Sequence, residues 1–155
     1  MSDATGSSIR EFAYQPAAAP LGSGVAGLGL SRSRLGLIEQ IQAGLPPAAF
    51  EQLGEATGVG ADELAELVAV SRRTVARRKE RGEPLDPATS ERLVRLALLY
   101  ARVAEVVGDE PLARQWLRTP RAAFSGKTPL ELARTELGAR EVEDLLLRVE
   151  HGVFY

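Results

Sequence analysis

Cysteine is missing altogether from these 155 residues, and with it go disulfides, thiolate zinc sites and a cysteine nucleophile. The absence fits a reducing cytoplasm, the expected location. Histidine is nearly absent too. His151 alone excludes a two-histidine metal site and leaves no spare imidazole beside a histidine-based triad. Aromatic residues make up 5%, so Leu, Val and Ala have to fill the core, as they do in helical proteins. No apolar run approaches the ~20 residues of a membrane span, and Asp3 rather than a basic stretch follows Met1. Neither a span nor a signal peptide is expected. Alternating patterns of useful length are also absent, which predicts an all-α fold.

What is there is ordinary globular material, 45% apolar and 26% charged, enough for one compact domain or two small ones sharing a core. The net charge of −2 says little by itself. Its distribution says more. Between Ser71 and Arg81 lie Arg72, Arg73, Arg77, Arg78, Lys79 and Arg81 against Glu80 alone, a local +5 that leaves −7 for the rest of the chain. A compact basic island on an acidic protein points to a local anionic partner.

Residues 1–44 read as an arm rich in Gly, Ala and Pro followed by a short helix over 35–43. Ile9, Phe12 and Tyr14 would let such an arm dock on a partner. Beyond it the punctuation is helical. Pro46 and Pro47 suit a helix start, Phe50 and Leu53 a buried stripe, and Gly58 a stop. Asp62 is placed to cap a segment with Leu64, Ala65, Leu67 and Val68 inward, and Ser71 to cap a helix running toward Gly82. Asp86-Pro87 opens a long helix to Val107, closed by Gly108. Its apolar residues occupy more than one face: Leu93, Leu96, Ala97 and Tyr100, with Val94, Leu98 and Ala101 beside them. That excess predicts burial on several sides, inside the fold or in a homodimer. Short helices fill the remainder. Asp109 is expected to cap one ending near Leu117, and Thr128-Pro-Leu-Glu131 reads as a capping box. Gly138 is expected to separate a last helix with Val142, Leu145, Leu146 and Val149 inward, and Gly152 to end it before an apolar tip, Val153-Phe154-Tyr155.

Gly126-Lys127-Thr128 imitates the end of a phosphate-binding loop, but Arg121 stands where that loop needs its first glycine, and no strand precedes it. The carboxylates of Glu141, Glu143 and Asp144 read as a solvated helix face rather than a metal or acid–base site. His151, a possible general base, is more simply a side chain set against a helix C-terminus. No catalytic residue, metal or cofactor is expected: the chain is a binding protein rather than an enzyme.

Residues 62–81 carry helix-turn-helix spacing, two short helices joined across Val70-Ser71 with Ala65 at the crossing and Val75 toward the core. The second helix would aim Arg72, Arg73 and Arg77 at a major groove and leave Thr74, Arg78, Lys79 and Arg81 for phosphates. The pattern departs from the usual one in two places: Ala69 occupies the turn position where glycine is common, and Arg78 a late apolar position. A basic face that holds an acidic protein is the competing reading.

Further on, Trp116-Leu-Arg-Thr-Pro120, the run from Gly126-Lys-Thr-Pro-Leu-Glu131 to Glu136, Gly138-Ala-Arg-Glu-Val-Glu143 and Arg148-Val-Glu-His-Gly-Val-Phe154 resemble the toxin-binding domain of the Xre/MbcA/ParS antitoxins. Residues 71–78 are similar to the Xre-like domain that precedes it in that family. The resemblance implies a helix-turn-helix (Xre-like) domain over 45–107, with a long dimerising helix, and a small helical toxin-binding domain over 108–155. It implies an antitoxin of a type II system. Such a protein binds a cognate RES-domain toxin that depletes NAD and blocks its active site with the C-terminal region. It acts as a homodimer, joins the toxin in a larger hetero-oligomer, and often represses its own operon by binding operator DNA. Carried onto this sequence, the toxin-binding residues are Lys127, Arg140, Glu141, Glu143, His151, Gly152, Val153, Phe154 and Tyr155, with Trp116 and Thr128 matching as structural positions. The alternative is a stand-alone helix-turn-helix regulator whose C-terminal part only dimerises or senses something else.

Overall fold

The computed structural model describes residues 27–152, and every regular element among them is helical. In chain order these are α1 (Arg34–Ala43), α2 (Ala48–Thr57), α3 (Ala61–Leu67), α4 (Arg72–Arg81), α5 (Pro87–Val107), α6 (Glu110–Arg118), a 3-10 turn (Ala122–Phe124), α7 (Pro129–Leu132) and α8 (Glu136–Glu150). The expected arm over 1–26, with Ile9, Phe12 and Tyr14, and the tip Val153-Phe154-Tyr155 lie outside the described residues.

Helix α5 is the spine, with α1, α2, α6 and α8 packed around it. It starts where the sequence predicts. Asp86 caps it, accepting from the Thr89 N–H at 2.9 Å and from the Thr89 hydroxyl at 2.6 Å, and Pro87 takes the first position, where no amide donor is needed. Thr89's hydroxyl above all, then its amide, holds the Asp86 carboxyl below the usual carboxylate range. Leu93, Val94, Leu96, Ala97, Leu99, Tyr100 and Val103 are all buried. The apolar surplus read as a sign of subunit contact is therefore largely absorbed within one chain. Val94 is core and Ala101 half-buried, leaving Leu98 exposed. The expectation of a dimer loses its motive on this helix.

Three further expectations change. The end of the arm is anchored: Leu28 and Leu30 are core residues, and Gln40 clamps their backbone, donating to the Gly29 carbonyl and accepting from the Ser31 amide, both at 2.8 Å. The N-cap of α3 is Gly60, without a side-chain bond, so Asp62 lies in the first turn, where its charge suits the helix dipole and pairs with Arg72. Gly138 does not separate helices; it is inside α8, whose cap is Thr135, accepting from the Gly138 amide at 3.0 Å. A Cβ at Gly138 would stand 2.0 Å from the Leu132 carbonyl oxygen, so glycine is required for α8 to pack on α7. Of the stripe predicted for α8, Val142 and Leu146 are buried, Leu145 is partly covered, and Val149 is exposed.

The two halves are latched by arginines. Arg114 on α6 donates to the Ala56 carbonyl at 2.9 Å, Arg118 to the Gly58 carbonyl at 3.2 Å and to Glu63 at 3.1 Å, and Arg134 to Glu66 at 3.2 Å. One hydrophobic cluster runs from Leu28 through α5 to Leu146. Among the described residues no helix is long and apolar enough to cross a membrane.

Candidate functional site

The turn between α3 and α4 forms without its usual glycine. Ala69 adopts φ of 49°, left-handed and costly by roughly 1 kcal/mol for an L-residue. The Val70 amide donates to the Ala65 carbonyl at 3.0 Å and closes the turn. Ser71 then caps α4, its hydroxyl accepting from the Thr74 amide at 3.0 Å and sharing a 2.8 Å bond with the Thr74 hydroxyl. Val75 is the buried residue of α4 and fixes which face looks outward.

That orientation sorts the basic island into two groups. Arg72 pairs with Asp62 at 3.0 Å, and Lys79 with Glu51 at 2.8 Å. Arg78, half-buried at the position where an apolar residue is usual, turns inward to donate to the Pro84 carbonyl at 3.1 Å and stands 3.6 Å from Glu83. Thr74 is occupied by the cap. The remaining cations, Arg73, Arg77 and Arg81, follow one another at four-residue spacing on the exposed face, with no carboxylate partner among the described residues. Three guanidinium groups aligned on one stripe, none neutralised, form the anion-seeking part of the helix. Composition alone could not separate them from their neighbours, because the acids that neutralise the others come from α2, α3 and the loop after α4.

The C-terminal half presents a different surface. Residues 119–128 form a self-bonded loop. The Arg121 carbonyl accepts from the Phe124 amide at 3.0 Å and the Gly126 amide at 2.9 Å, its own amide donates to Lys127 at 3.0 Å, and Phe124 plugs the loop from inside. Gly126-Lys127-Thr128 is the exit of this loop, with its amides committed, which accounts for the failed resemblance to a phosphate loop. Lys127 is exposed there, away from α8 in sequence. Thr128 and Glu131 complete the predicted capping box, at 2.7 and 3.1 Å, and the Thr128 amide above all lowers the Glu131 pKa.

On α8 the buried side carries Gly138, Ala139, Val142 and Leu146. With about 100° between successive residues, Arg140, Glu143, Leu147 and His151 fall on one outward stripe. Glu141 lies on the neighbouring row with Leu137, Asp144 and Arg148. The helix therefore brings together Arg140, Glu143 and His151 and sets Glu141 beside them. Arg140 pairs with Glu136 at 2.6 Å. Loss of hydration around its carboxyl, and then the charge of Asp144, push Glu143 above the usual carboxylate range. Arg102 ties the end of the helix to α5 through Glu150. Sequence reasoning missed the two leucines in this face, Leu137 at 73% exposure and Leu147 at 44%. The signal was present: both fall outside the stripe that Val142 and Leu146 define. Gly152 has positive φ just past the C-cap His151 and begins the tip.

Comparison with known proteins follows the same division. Residues 36–98 match the antitoxin Xre-like helix-turn-helix domain, and residues 102–152 match the antitoxin Xre/MbcA/ParS C-terminal toxin-binding domain. The chain is 36% identical over 99 residues to an antitoxin Xre of Pseudomonas putida, a match covering 64% of this chain and 59% of that relative, less than two thirds of its length. It is 31% identical over 129 residues to an antitoxin Xre of Yersinia enterocolitica, covering 83% of this chain and 86% of the relative. In fold it resembles a chain of the crystal structure of the M. tuberculosis MbcT–MbcA toxin–antitoxin complex, with a TM-score of 0.52 and 24% identity over 70% of this chain and 96% of that one.

Proposed function

This chain belongs to the Xre antitoxins, and on that premise we propose that it neutralises a RES-domain, NAD-degrading toxin by binding it directly and blocking its active site with the C-terminal region. The work is divided along the chain, with residues 45–107 for DNA, residues 108–155 for the toxin, and α5 shared between them. The observation that carries the reading is the outward face of α8. Two leucines stand exposed among Arg140, Glu141, Glu143 and His151, on a helix whose inner side is fully packed and which ends just before Gly152. Exposed apolar anchors ringed by charge are the usual make-up of a protein-binding surface. Blocking an active site in this way needs no chemistry from the antitoxin itself, and the chain needs no cofactor for it.

Operator binding belongs to the same reading. As a homodimer, which the family resemblance rather than α5 supports, the chain would present two α4 helices, suited to half-sites about one helical turn, ~34 Å, apart. Arg73, Arg77 and Arg81 supply the phosphate-seeking charge, and the N-terminal end of α4, with Arg72 and Arg73, lies where such helices read bases. In the complex, toxin and antitoxin dimer form a larger hetero-oligomer.

The proposal predicts a RES-domain toxin in the adjoining reading frame, and titrating that purified toxin into the chain tests it. Expected is a stable complex that the paired variant Leu137→Asp/Leu147→Asp weakens by at least ~10-fold while leaving thermal unfolding unchanged. A chain that shifts its own promoter fragment but forms no complex with that toxin is the stand-alone regulator instead.

A further inference from the structure

Helix α6 has a buried row and a mostly exposed one. Ala113 and Leu117 enter the core. Leu112, Gln115, Trp116 and Thr119, at helical spacing on another side, line a cleft of about 240 Å3 together with Val107 of α5 and Arg121. Leu112 is 50% exposed, and Trp116 is only partly covered.

Arg121 gives this cleft its chemistry. Its backbone is fixed in the 121–127 loop by both its amide and its carbonyl, so the root of the side chain is held. The guanidinium lies over the Trp116 ring, 4.6 Å from the centroid, and its Nε is buried without a hydrogen-bond partner. Every other arginine from residue 102 to 152 has a carboxylate or carbonyl acceptor. Burial alone lowers the Arg121 pKa, since nothing near it offsets the lost hydration.

We propose that this cleft is a second docking surface for the toxin, taking an acidic side chain next to an aliphatic one from a segment of that protein. The inference rests on the reading above, and it concerns a site other than the outward face of α8. A guanidinium whose Nε is already out of water and whose carbon lies over an indole is prepared for a carboxylate, which it can engage through its two terminal nitrogens. The walls of Leu112 and Val107 match one aliphatic side chain, and the volume admits about two side chains rather than a drug-sized ligand, which needs at least ~300 Å3. All the lining residues fall inside the segment that matches the toxin-binding domain.

Trp116 is the chain's one tryptophan, so fluorotryptophan labelling places a single fluorine reporter in the cleft. The toxin of the adjoining reading frame, unlabelled, is the probe. Expected is a shift of that resonance on complex formation, with Leu112→Glu and Arg121→Ala each weakening the complex at least ~10-fold and Leu112→Arg binding as well as the wild type or better. A complex with the resonance unmoved and Leu112→Glu binding at full strength overturns the inference while leaving the proposed function intact. Equal weakening by Leu112→Glu and Leu112→Arg overturns the carboxylate. A shift produced by raising the chain's own concentration, or by promoter DNA, assigns the cleft to another occupant and equally overturns it. No complex with the wild type at all sinks the proposed function, and this inference with it.

Discussion

Two polar side chains on α5, Ser90 and Tyr100, are buried with opposite consequences. The Ser90 hydroxyl accepts from the Leu45 amide at 2.8 Å, where the chain crosses between α1 and α2, while the Leu85 amide donates to the Leu45 carbonyl at 2.8 Å. Ser90→Ala leaves a buried N–H without an acceptor, and the expected loss is about 1–3 kcal/mol of stability in urea unfolding. The Tyr100 hydroxyl, in contrast, makes no hydrogen bond of good geometry: burial above all pushes its pKa up, and the Arg114 side chain beside it only partly offsets that. Tyr100→Phe removes a buried hydroxyl that gains little from Arg114, so stability in the same assay is expected to change by less than ~1 kcal/mol. A loss above ~1 kcal/mol would mean the hydroxyl is satisfied. Neither role was legible beforehand, because periodicity places a residue on the inside without saying which amide it meets there.

At the scale of elements, local signals were read well and long-range ones poorly. Ser71, Asp86 and Thr128 cap the helices that the sequence assigns them, because a cap is settled within about four residues. Asp62 and Gly138 were misplaced because their roles depend on Arg72 and on the Leu132 carbonyl, which only packing brings close. The site follows the same rule. The basic island was plain from composition, but which of its cations stay unpaired was set by Glu51 and Asp62, outside it. Two predictions belong here. Asp86 has a folded pKa below its unfolded value of about 3.9, so its contribution is fully present above that value and is lost as pH falls through the folded pKa. Asp86→Ala should cost about 1 kcal/mol at neutral pH, and the gap to wild type should close in acid; a constant gap down to low pH would contradict the cap's charge. On α4, the Arg73→Ala/Arg77→Ala/Arg81→Ala variant should flatten the salt dependence of promoter binding by about 5.4 in log–log slope if each of the six arginines of a dimer neutralises one phosphate. Lys79→Ala, whose charge Glu51 already offsets, should barely change it.

For the whole molecule, the consequence of the latch is cooperativity. Arg114, Arg118 and Arg134 reach from the C-terminal half to α2, α3 and the turn between them, over a core that α5 carries through both halves. Thermal unfolding should therefore be one transition, and Arg114→Ala/Arg118→Ala should lower its midpoint without splitting it. Two separated transitions would show the halves to be independent. Under the proposed function, a body of this kind presents the outward face of α8 as one rigid surface. The most direct measurement is the NAD content of cells expressing the adjoining toxin with either the full chain or the chain lacking residues 152–155. The full chain should preserve NAD, and the shortened chain should fail to do so while keeping its unfolding midpoint and promoter binding. Preserved NAD with the shortened chain, or lost NAD with the full one, would contradict neutralisation by the C-terminal region.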